Sequence, residues 1–284
     1  MKNGKLEEFT MKRFLAVILA GLMLLSLVAC GGKKDENVMK LGTLEASGTQ
    51  LTHNEEHTQQ MVKDVGDSNK ENVECFYNNL STALMDLESG KIDSLGLEEC
   101  TANYVATRND KIAVTKIDRK TNFSMMTLDT NKEVYDILNN AIVEMKADGT
   151  LDTLIANELK AYIESDPVAK DLPNFDGAKT IKIGVTGDVP PMDFVAANGK
   201  AAGFNIALLA EIANRAQVNF ELVQIESGAR AMALSSNKVD AIFWTKSATC
   251  TICNTTATEG IKGTIITESY FSDGSASIKL KPAN

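Results

Sequence analysis

Alternating apolar and polar positions predict short strands separated by helices. Residues 180–185, Thr-Ile-Lys-Ile-Gly-Val, have the pattern of a strand and are followed by a corner that contains Pro190 and Pro191. A second strand is predicted at residues 192–195, followed by an Asn-Gly turn, a helix from about residue 202 and a later strand at residues 238–242. This order of elements indicates an α/β unit.

A seven-residue pattern occurs twice along the chain. Residues 87–93 are Leu-Glu-Ser-Gly-Lys-Ile-Asp, and residues 234–240 are Leu-Ser-Ser-Asn-Lys-Val-Asp. Each copy follows a helix-like segment, contains a Gly or Asn suited to the left-handed end of a helix, and precedes an apolar strand. Two such copies predict two α/β lobes of similar construction.

The first half of the chain has the pattern of the second α/β unit. Strands are predicted at residues 39–44, 73–77, 111–117 and 123–128, and helices at residues 79–88 and from residue 100 to 106. Thr52 and Glu55 form a capping box that begins a polar helix reaching about Val65. Apolar positions spaced by three and four predict a helix at residues 133–147, with another at 151–163.

Composition limits the classes of partner. With 44% apolar and 24% charged residues, the 284-residue chain is typical of a globular protein large enough for two lobes with real cores. Its 38 acidic and 29 basic residues give a net charge of -9, which argues against binding to nucleic acid or anionic lipid through bulk electrostatics. A cationic or zwitterionic small ligand is compatible with this charge.

The order of elements in residues 179–270, with Gly203-Phe204-Asn205 at the start of the helix, resembles the first lobe of the bacterial solute-binding proteins of the amino-acid-binding family, family 3. Members of that family are extracytoplasmic ligand receptors of ABC transporters. The resemblance implies an α/β fold of the two-lobed periplasmic-binding-protein-like type (type II). It also implies a monomer that needs no cofactor and is not an enzyme.

The resemblance also implies an unusual lobe order. Residues 39–128 correspond to the family's second lobe, 129–163 to its closing helices, 164–178 to a Pro-bearing linker and 179–284 to the first lobe. Because family members usually begin with the first lobe, this order predicts a circular permutation, which is tolerable when the joined ends lie at a surface. A tandem array truncated at both ends is the alternative, and it predicts an unpaired C-terminus.

The beginning of the chain has the features of an export signal. Within residues 1–30, Met11 is a more natural start than Met1, and it is followed by two basic residues and an apolar run. Leu-Val-Ala-Cys, ending at Cys30, resembles a bacterial lipobox, which implies lipidation of Cys30 and a tether at residues 31–38. The protein is therefore expected on the extracytoplasmic face of the membrane. An ordinary signal peptide with an incidental cysteine is the alternative.

In this family the ligand lies between the lobes, at the carboxyl ends of the strands. Glu98 matches the position of an acid that pairs with a ligand's ammonium group, although an acid is also favoured at a helix start. Trp244, the only Trp, is either an aromatic wall beside the ligand or a core residue. Four further candidate contacts could instead serve in turns: Thr186, Asp188, Thr245 and Ser247.

The residue expected to hold a ligand's α-carboxylate is missing. Where the family has a Thr-x-x-Arg-like segment, residues 249–253 are Thr-Cys-Thr-Ile-Cys, with Ile252 in place of the arginine. Arg230 is the candidate substitute, and a surface or ion-paired arginine is the alternative. Ser47-Gly48-Thr49 resembles a segment that offers backbone N–H groups to a carboxylate. The resemblance therefore does not imply the family's usual clamp for a standard α-amino acid.

The resemblance implies a lipid-anchored substrate-binding protein that delivers a small polar, amino-acid-like solute to an ABC permease. A degenerate scaffold acting as a sensor or surface interaction module is the alternative. Enzyme functions have weaker support. His53 and His57 fit an inverted-zincin string but also a capped, solvated helix, and Glu98 is a candidate general acid with no second acid at a definable spacing in the sequence. For Cys250 and Cys253, a disulfide, free thiols, metal binding and redox chemistry stay open.

Overall fold

The computed structural model describes residues 35–44, 66–166, 168–250, 255–258 and 261–282, with the backbone alone for 246–250 and 255–258. In the first half of the chain the strands are β1 Val38–Leu44, β2 Glu71–Tyr77, β3 Ser94–Glu98 and β4 Ile112–Leu128. The helices there are α1 Leu80–Glu88, α2 Glu99–Arg108, α3 Lys132–Asp148, α4 Thr150–Ile155 and α5 Ala161–Glu164. A π-helical turn, Ala156–Lys160, joins α4 to α5.

The second half continues the alternation of strands and helices. Its strands are β5 Thr180–Val185, β6 Asp188–Val189, β7 Asp193–Val195, β8 Ala201–Ala202, β9 Asn219–Gln224, β10 Ala241–Cys250, β11 Thr255–Thr258, β12 Thr264–Ile266 and β13 Phe271–Leu280. Its helices are α6 Phe204–Ala216 and α7 Arg230–Ser235, the latter preceded by the 3-10 turn Ser227–Ala229.

Most elements lie where the pattern predicts them, and three differ. The two strands predicted at 111–117 and 123–128 are one continuous strand, β4, because β13 pairs with the polar stretch between them and keeps it extended. Strand β10 begins at Ala241 rather than Lys238, since Asn237 is left-handed (φ 56°) and residues 238–240 turn back toward the sheet. The single helix predicted at 151–163 is instead α4, a π-helical turn and α5.

One mixed sheet runs through both halves. Its main path has the order β2-β1-β3-β13-β4-β10-β5-β9. In the first half, β1 pairs in parallel with β2 and β3, and in the second half, β5 pairs in parallel with β9 and β10. Antiparallel β13 and β4 lie between these triplets. The two halves therefore have the same topology, with the first strand of each in the middle of its triplet.

The repeated sequence occupies the same place in both halves. Asp93 accepts a hydrogen bond from the backbone N–H of Lys40 at 2.8 Å and returns one to its carbonyl at 2.9 Å. Asp240 makes the same two bonds with Lys182, both at 2.8 Å. In each half the aspartate thus fixes the turn after the helix against the central strand.

Each half also has its own core. Ala83, Leu87, Leu95 and Ile112 belong to the apolar cluster of the first half. Helix α3 packs instead into the core of the second half, where Leu138 and Ile142 share a cluster with the residues of β5, α6 and β10. The sheet and two cores place one junction between the halves, near β13 and β4.

Candidate functional site

The two halves touch directly at the N-terminus of α1. The carboxylate of Asp188 accepts a hydrogen bond from the N–H of Leu80, the first residue of that helix, at 2.8 Å. The N–H of Ser227 donates to the carbonyl of Asn78 at 3.2 Å. We call these four residues the seam. Because the first N–H groups of a helix lack partners within it, Asp188 acts as a helix cap supplied by the opposite half.

Asp188 and Thr186 lie in the same loop but differ in surroundings. Burial raises the pKa of Asp188, while the N–H of Leu80 and the charge of Arg230 act in the opposite direction. Thr186 is buried, and its N–H donates to Asp193 at 2.9 Å. The second carboxylate oxygen of Asp193 accepts from the N–H of Gly187 at 3.1 Å. Thr186 therefore takes part in a turn built around Asp193.

Arg230 is buried at the start of α7, with 2% of its surface exposed. Its Nη1 donates to the carbonyl of Phe243 at 2.7 Å, its Nε to the carbonyl of Ser227 at 3.1 Å, and its Nη2 to the Ser227 hydroxyl at 3.2 Å. Trp244, which follows Phe243 in β10, has a left-handed backbone (φ 64°), and the pairing of β10 with β4 shifts register at this position. The guanidinium group thus holds the backbone at a bulge in β10.

Two buried polar side-chain atoms at this bulge lack partners. Within the described part of the chain, nothing bonds the indole N–H of Trp244 or the hydroxyl of Thr245. Both side chains are almost completely buried, and the Trp244 ring packs edge-to-face on Phe123 with 5.1 Å between ring centroids. A buried polar group without a partner costs about 1–3 kcal/mol, so a polar ligand that bonded these two groups would be stabilised by them.

Glu98, in the first half, lies within electrostatic reach of Tyr270. It ends β3, precedes α2 and is half-buried. Burial raises the pKa of Asp273 and of Tyr270, and the charge of Glu98 raises both further. Asp273 accepts a hydrogen bond from the N–H of Cys100 at 2.9 Å and thereby caps α2. A carboxylate from β13 therefore holds the helix that follows Glu98.

Tyr270 is buried in the core of the second half, where its ring packs against Phe204 and Phe243, and its hydroxyl lies within electrostatic reach of Glu98 in the first half. Burial raises its pKa, as do the charges of Asp193 in the second half and Glu98 in the first, whereas the Trp244 backbone and the Arg230 charge lower it. We use the name interlobe site for the side chains described around the bulge and the start of α2: Glu98, Arg230, Trp244, Thr245, Tyr270 and Asp273. Tyr270 and Asp273 were not predicted, since nothing local in the sequence shows that β13 returns to the first half.

Several predicted features lie outside what the structure describes. These are the signal peptide with Cys30, the segments that contain Ser47 and the two histidines, Ile252 and Cys253, and the side chains of Ser247 and Cys250. Among the described helices, none is long and apolar enough to cross a membrane. Within the same ranges, no cluster of three or more His, Cys, Asp or Glu residues could hold a metal ion.

Comparison with known proteins links one segment to a family. Residues 181–251, which begin in β5 and include all of β10, match the family model of the bacterial extracellular solute-binding proteins, family 3. No curated protein matches the sequence. The segment that contains Asp188, Arg230 and Trp244 therefore matches the family that the sequence pattern resembles.

Many solved structures are similar to this chain, including the three that follow. A ligand-binding component of an ABC-type import system from Staphylococcus aureus, with zinc bound, has a TM-score of 0.44 and 11% identity over 85% of this chain and 66% of its own. The GluR0 ligand-binding core with L-glutamate has a TM-score of 0.43 and 9% identity over 89% and 87%. Tv2483 bound to L-arginine has a TM-score of 0.44 and 9% identity over 87% and 79%.

Proposed function

We propose that this protein binds a small polar solute between its halves. Its residues 181–251 match the family model of the extracellular solute-binding proteins, family 3. The observation that carries the proposal is the interlobe site, where Trp244 and Thr245 of one half have buried polar atoms that no described residue bonds, and Glu98 approaches from the other half. A solute that bonds those atoms would supply what the protein itself leaves unsatisfied.

Binding would act through a shift of conformational populations. The seam consists of a few polar bonds, so the halves would open at the seam to admit a ligand, while β4 and β13, which pair with strands of both halves, would serve as the hinge. A ligand favours the closed arrangement only by contacts that it makes in that arrangement and not in the open one. Glu98 on one side and Trp244 on the other are the residues that we expect to make those contacts. Thr186, Asp188, Thr245 and Ser247 stay as proposed contacts of lower rank.

The cellular setting belongs to the same proposal. Lipidation of Cys30 would anchor a monomer to the extracytoplasmic face of a bacterial membrane, from which it delivers solute to an ABC permease. This setting rests on the lipobox and the family 3 match. Labelling with a fatty-acid probe should modify the native chain and leave Cys30→Ser unmodified. Labelling of both chains would contradict the anchor.

A second function is favoured by one observation. Arg230, the candidate carboxylate clamp, donates to backbone and side-chain oxygens of its own lobe, and the halves already touch at the seam. Such a protein could have kept the fold as a sensor or surface interaction module with a degenerate cleft. This function predicts that small solutes leave its conformation unchanged.

Calorimetry against amino acids, short peptides and polyamines distinguishes the two functions. We expect saturable heat with one ligand class, together with a change in the fluorescence of Trp244, the only tryptophan. The matched control is Glu164→Gln, which removes an exposed carboxylate from α5 and should bind like the native protein. A folded protein that responds to no solute would contradict the transport function.

A further inference from the structure

Two consecutive side chains at the bulge of β10 have polar atoms that the protein does not use. The indole N–H of Trp244 and the hydroxyl of Thr245 have no hydrogen-bond partner in the described part of the chain, although only 4% and 1% of these residues is exposed. Buried N–H and O–H groups are nearly always bonded, and one that is not lowers the stability of the fold. Both groups therefore call for a partner from outside the chain.

The bulge lies at the edge of the sheet where the halves touch. Strand β10 runs parallel to β5 only as far as the bulge, and the segments that follow β5 and β9 contain the seam residues Asp188 and Ser227. The carboxyl ends of neighbouring parallel strands share one edge of a sheet, so Trp244 stands at the edge that carries the seam. Arg230 connects the two places, because it donates to the carbonyls of both Ser227 and Phe243.

The backbone at the bulge is held in a conformation that its residue disfavours. Trp244 is left-handed (φ 64°), which costs free energy for any residue with a bulky side chain. The buried guanidinium of Arg230 holds the carbonyl just before it at 2.7 Å. Because a β-bulge redirects the side chains beside it, this strained backbone sets where the two unpartnered groups lie.

The chemistry of these groups favours an uncharged partner. The indole N–H only donates, so an ammonium group, which has no acceptor, does not satisfy it. A carboxylate could accept from it, but three hydrogen bonds of the neighbouring Arg230 end on oxygens of Phe243 and Ser227, and a buried carboxylate without a cation is costly. A neutral amide or hydroxyl oxygen accepts from the indole, and the Thr245 hydroxyl can bond either kind of group.

We infer that the interlobe site takes an uncharged solute, whose amide or hydroxyl oxygen accepts a hydrogen bond from the indole of Trp244. This inference rests on the proposed function and narrows its ligand class. The hydroxyl of Thr245 would bond a polar group of the same solute. When the seam opens, water would reach both groups, so the solute would replace water and would break no bond within the protein.

Solutes that share one skeleton and differ in charge test the inference by calorimetry. N-propionylglycinamide is uncharged, N-propionylglycine has a carboxylate, glycylglycinamide has an ammonium group, and glycylglycine has both. D-glucose serves as an uncharged hydroxyl compound and distinguishes a hydroxyl ligand from an amide ligand. We expect one of the two uncharged compounds to bind at least about tenfold more tightly than any charged one.

Two results would contradict different statements. Equal or tighter binding of a charged compound, or binding of an amino acid or polyamine alone, would overturn the inference and leave the proposed function standing. Failure of every solute, amino acids and polyamines included, would instead count against the proposed function, and the inference would fall with it.

A pair of variants locates the uncharged solute that binds most tightly. Thr245→Val removes the hydroxyl but keeps the shape of the side chain, so it should weaken binding about tenfold. Because an unpartnered buried group is lost, it should also raise the urea midpoint of the ligand-free protein. The matched control is Ser277→Ala, which removes another buried hydroxyl without a described partner, in β13. It should raise the midpoint and leave binding unchanged.

A second variant tests the indole directly. Trp244→Phe keeps an aromatic ring but lacks the N–H donor, and it should also weaken binding about tenfold. Native affinity of both Thr245→Val and Trp244→Phe would overturn the inference. A lower urea midpoint for Thr245→Val would overturn it as well, because the hydroxyl would then have a partner within the protein.

Discussion

At the scale of single residues, charged side chains have structural roles that their positions in the sequence do not reveal. Arg230 begins a six-residue helix, where a solvated side chain would be ordinary, yet it is buried and holds the Phe243 carbonyl. A guanidinium group can do this because its five N–H donors satisfy several acceptors at once. The residue therefore supports the left-handed backbone of Trp244.

Replacing Arg230 by Met should destabilise the protein by about 3 kcal/mol, because the Phe243 and Ser227 acceptors lose charge-assisted bonds in a buried place. The free energy of unfolding from urea titration measures this. Lys238→Met, an exposed change near the end of the same helix, is the control and should cost less than about 0.5 kcal/mol. Equal costs would show that the bonds of Arg230 contribute little.

The pH dependence of stability should carry a contribution from Asp193. Burial raises the pKa of its carboxyl from 3.8 to about 6, so the folded protein keeps a proton that the unfolded chain has released. The resulting stability is fully present below pH 3.8 and is lost as pH rises through 6. A shift of this size corresponds to about 3 kcal/mol.

Urea titrations of the native chain and Asp193→Asn between pH 3.5 and about 7 measure that contribution, and the variant should lack it. The amide resonances of Thr186 and Gly187, which bond the carboxylate, should titrate with the same midpoint in the native protein. Identical pH profiles of the two chains, with amide shifts that do not change, would contradict the assignment.

At the scale of elements, the two halves use the same joint between helix and strand. Asp93 and Asp240 bind the backbone of the central strand at the same distance. Gly90 and Asn237, at matching positions of the repeat, are both left-handed, with φ of 71° and 56°. The joint requires a residue that tolerates this conformation, and Gly and Asn do so at the least cost.

Because the joints are equivalent, Asp93→Ala and Asp240→Ala should each cost about 1–2 kcal/mol by leaving a backbone N–H without its carboxylate. Strands β1 and β5 stand five positions apart in the sheet, so the double variant should be additive within about 0.5 kcal/mol. Urea unfolding of the three variants tests this. A cost in one half alone would show that the joints are not equivalent.

At the scale of the whole molecule, the strands that connect the halves decide the architecture. Strand β4 pairs with β10 and β12 of the second half, and β13 returns to pair with β3 and β4. The last strand is therefore paired on both sides, whereas a truncated tandem array predicts an unpaired one. We propose on this basis that the lobes are circularly permuted.

The permutation predicts that the chain can be joined in the usual lobe order. The start of β1 and the end of β13 flank the same end of β3, two strand spacings or about 10 Å apart. Residues 281–282 joined to residues 35–37 span up to about 17 Å. A relinked chain with new ends at exposed residues 166 and 168 should fold with the native Trp244 fluorescence and circular dichroism.

The matched control opens the same relinked chain between Asp118 and Arg119, in the middle of β4. That chain should not fold, because the cut divides the strand that pairs with both halves. Failure of the first chain, with the amount of soluble protein no higher than for the control, would contradict the permutation.

Taken by itself, the sequence determined the alternation of strands and helices and the repeated unit. Helix α3 was predicted at 133–147 and lies at 132–148, because its apolar spacing and the left-handed Gly149 are local features. The repeat at residues 87–93 and 234–240 likewise predicted the same turn from helix to strand in both halves. Local spacing, caps and turns depend on neighbours in the chain, and the sequence displays these directly.

Only the tertiary structure decided the interlobe site. Asp188 caps a helix that begins 108 residues earlier, and Asp273 caps one 173 residues away. The polar middle of β4 stays extended because β13 lies beside it. Tyr270 directly precedes β13, so the same pairing brings its hydroxyl within electrostatic reach of Asp193 in one half and Glu98 in the other. Such contacts depend on which strands become neighbours in the sheet, and that choice is made by the packing of two whole cores rather than by any local pattern.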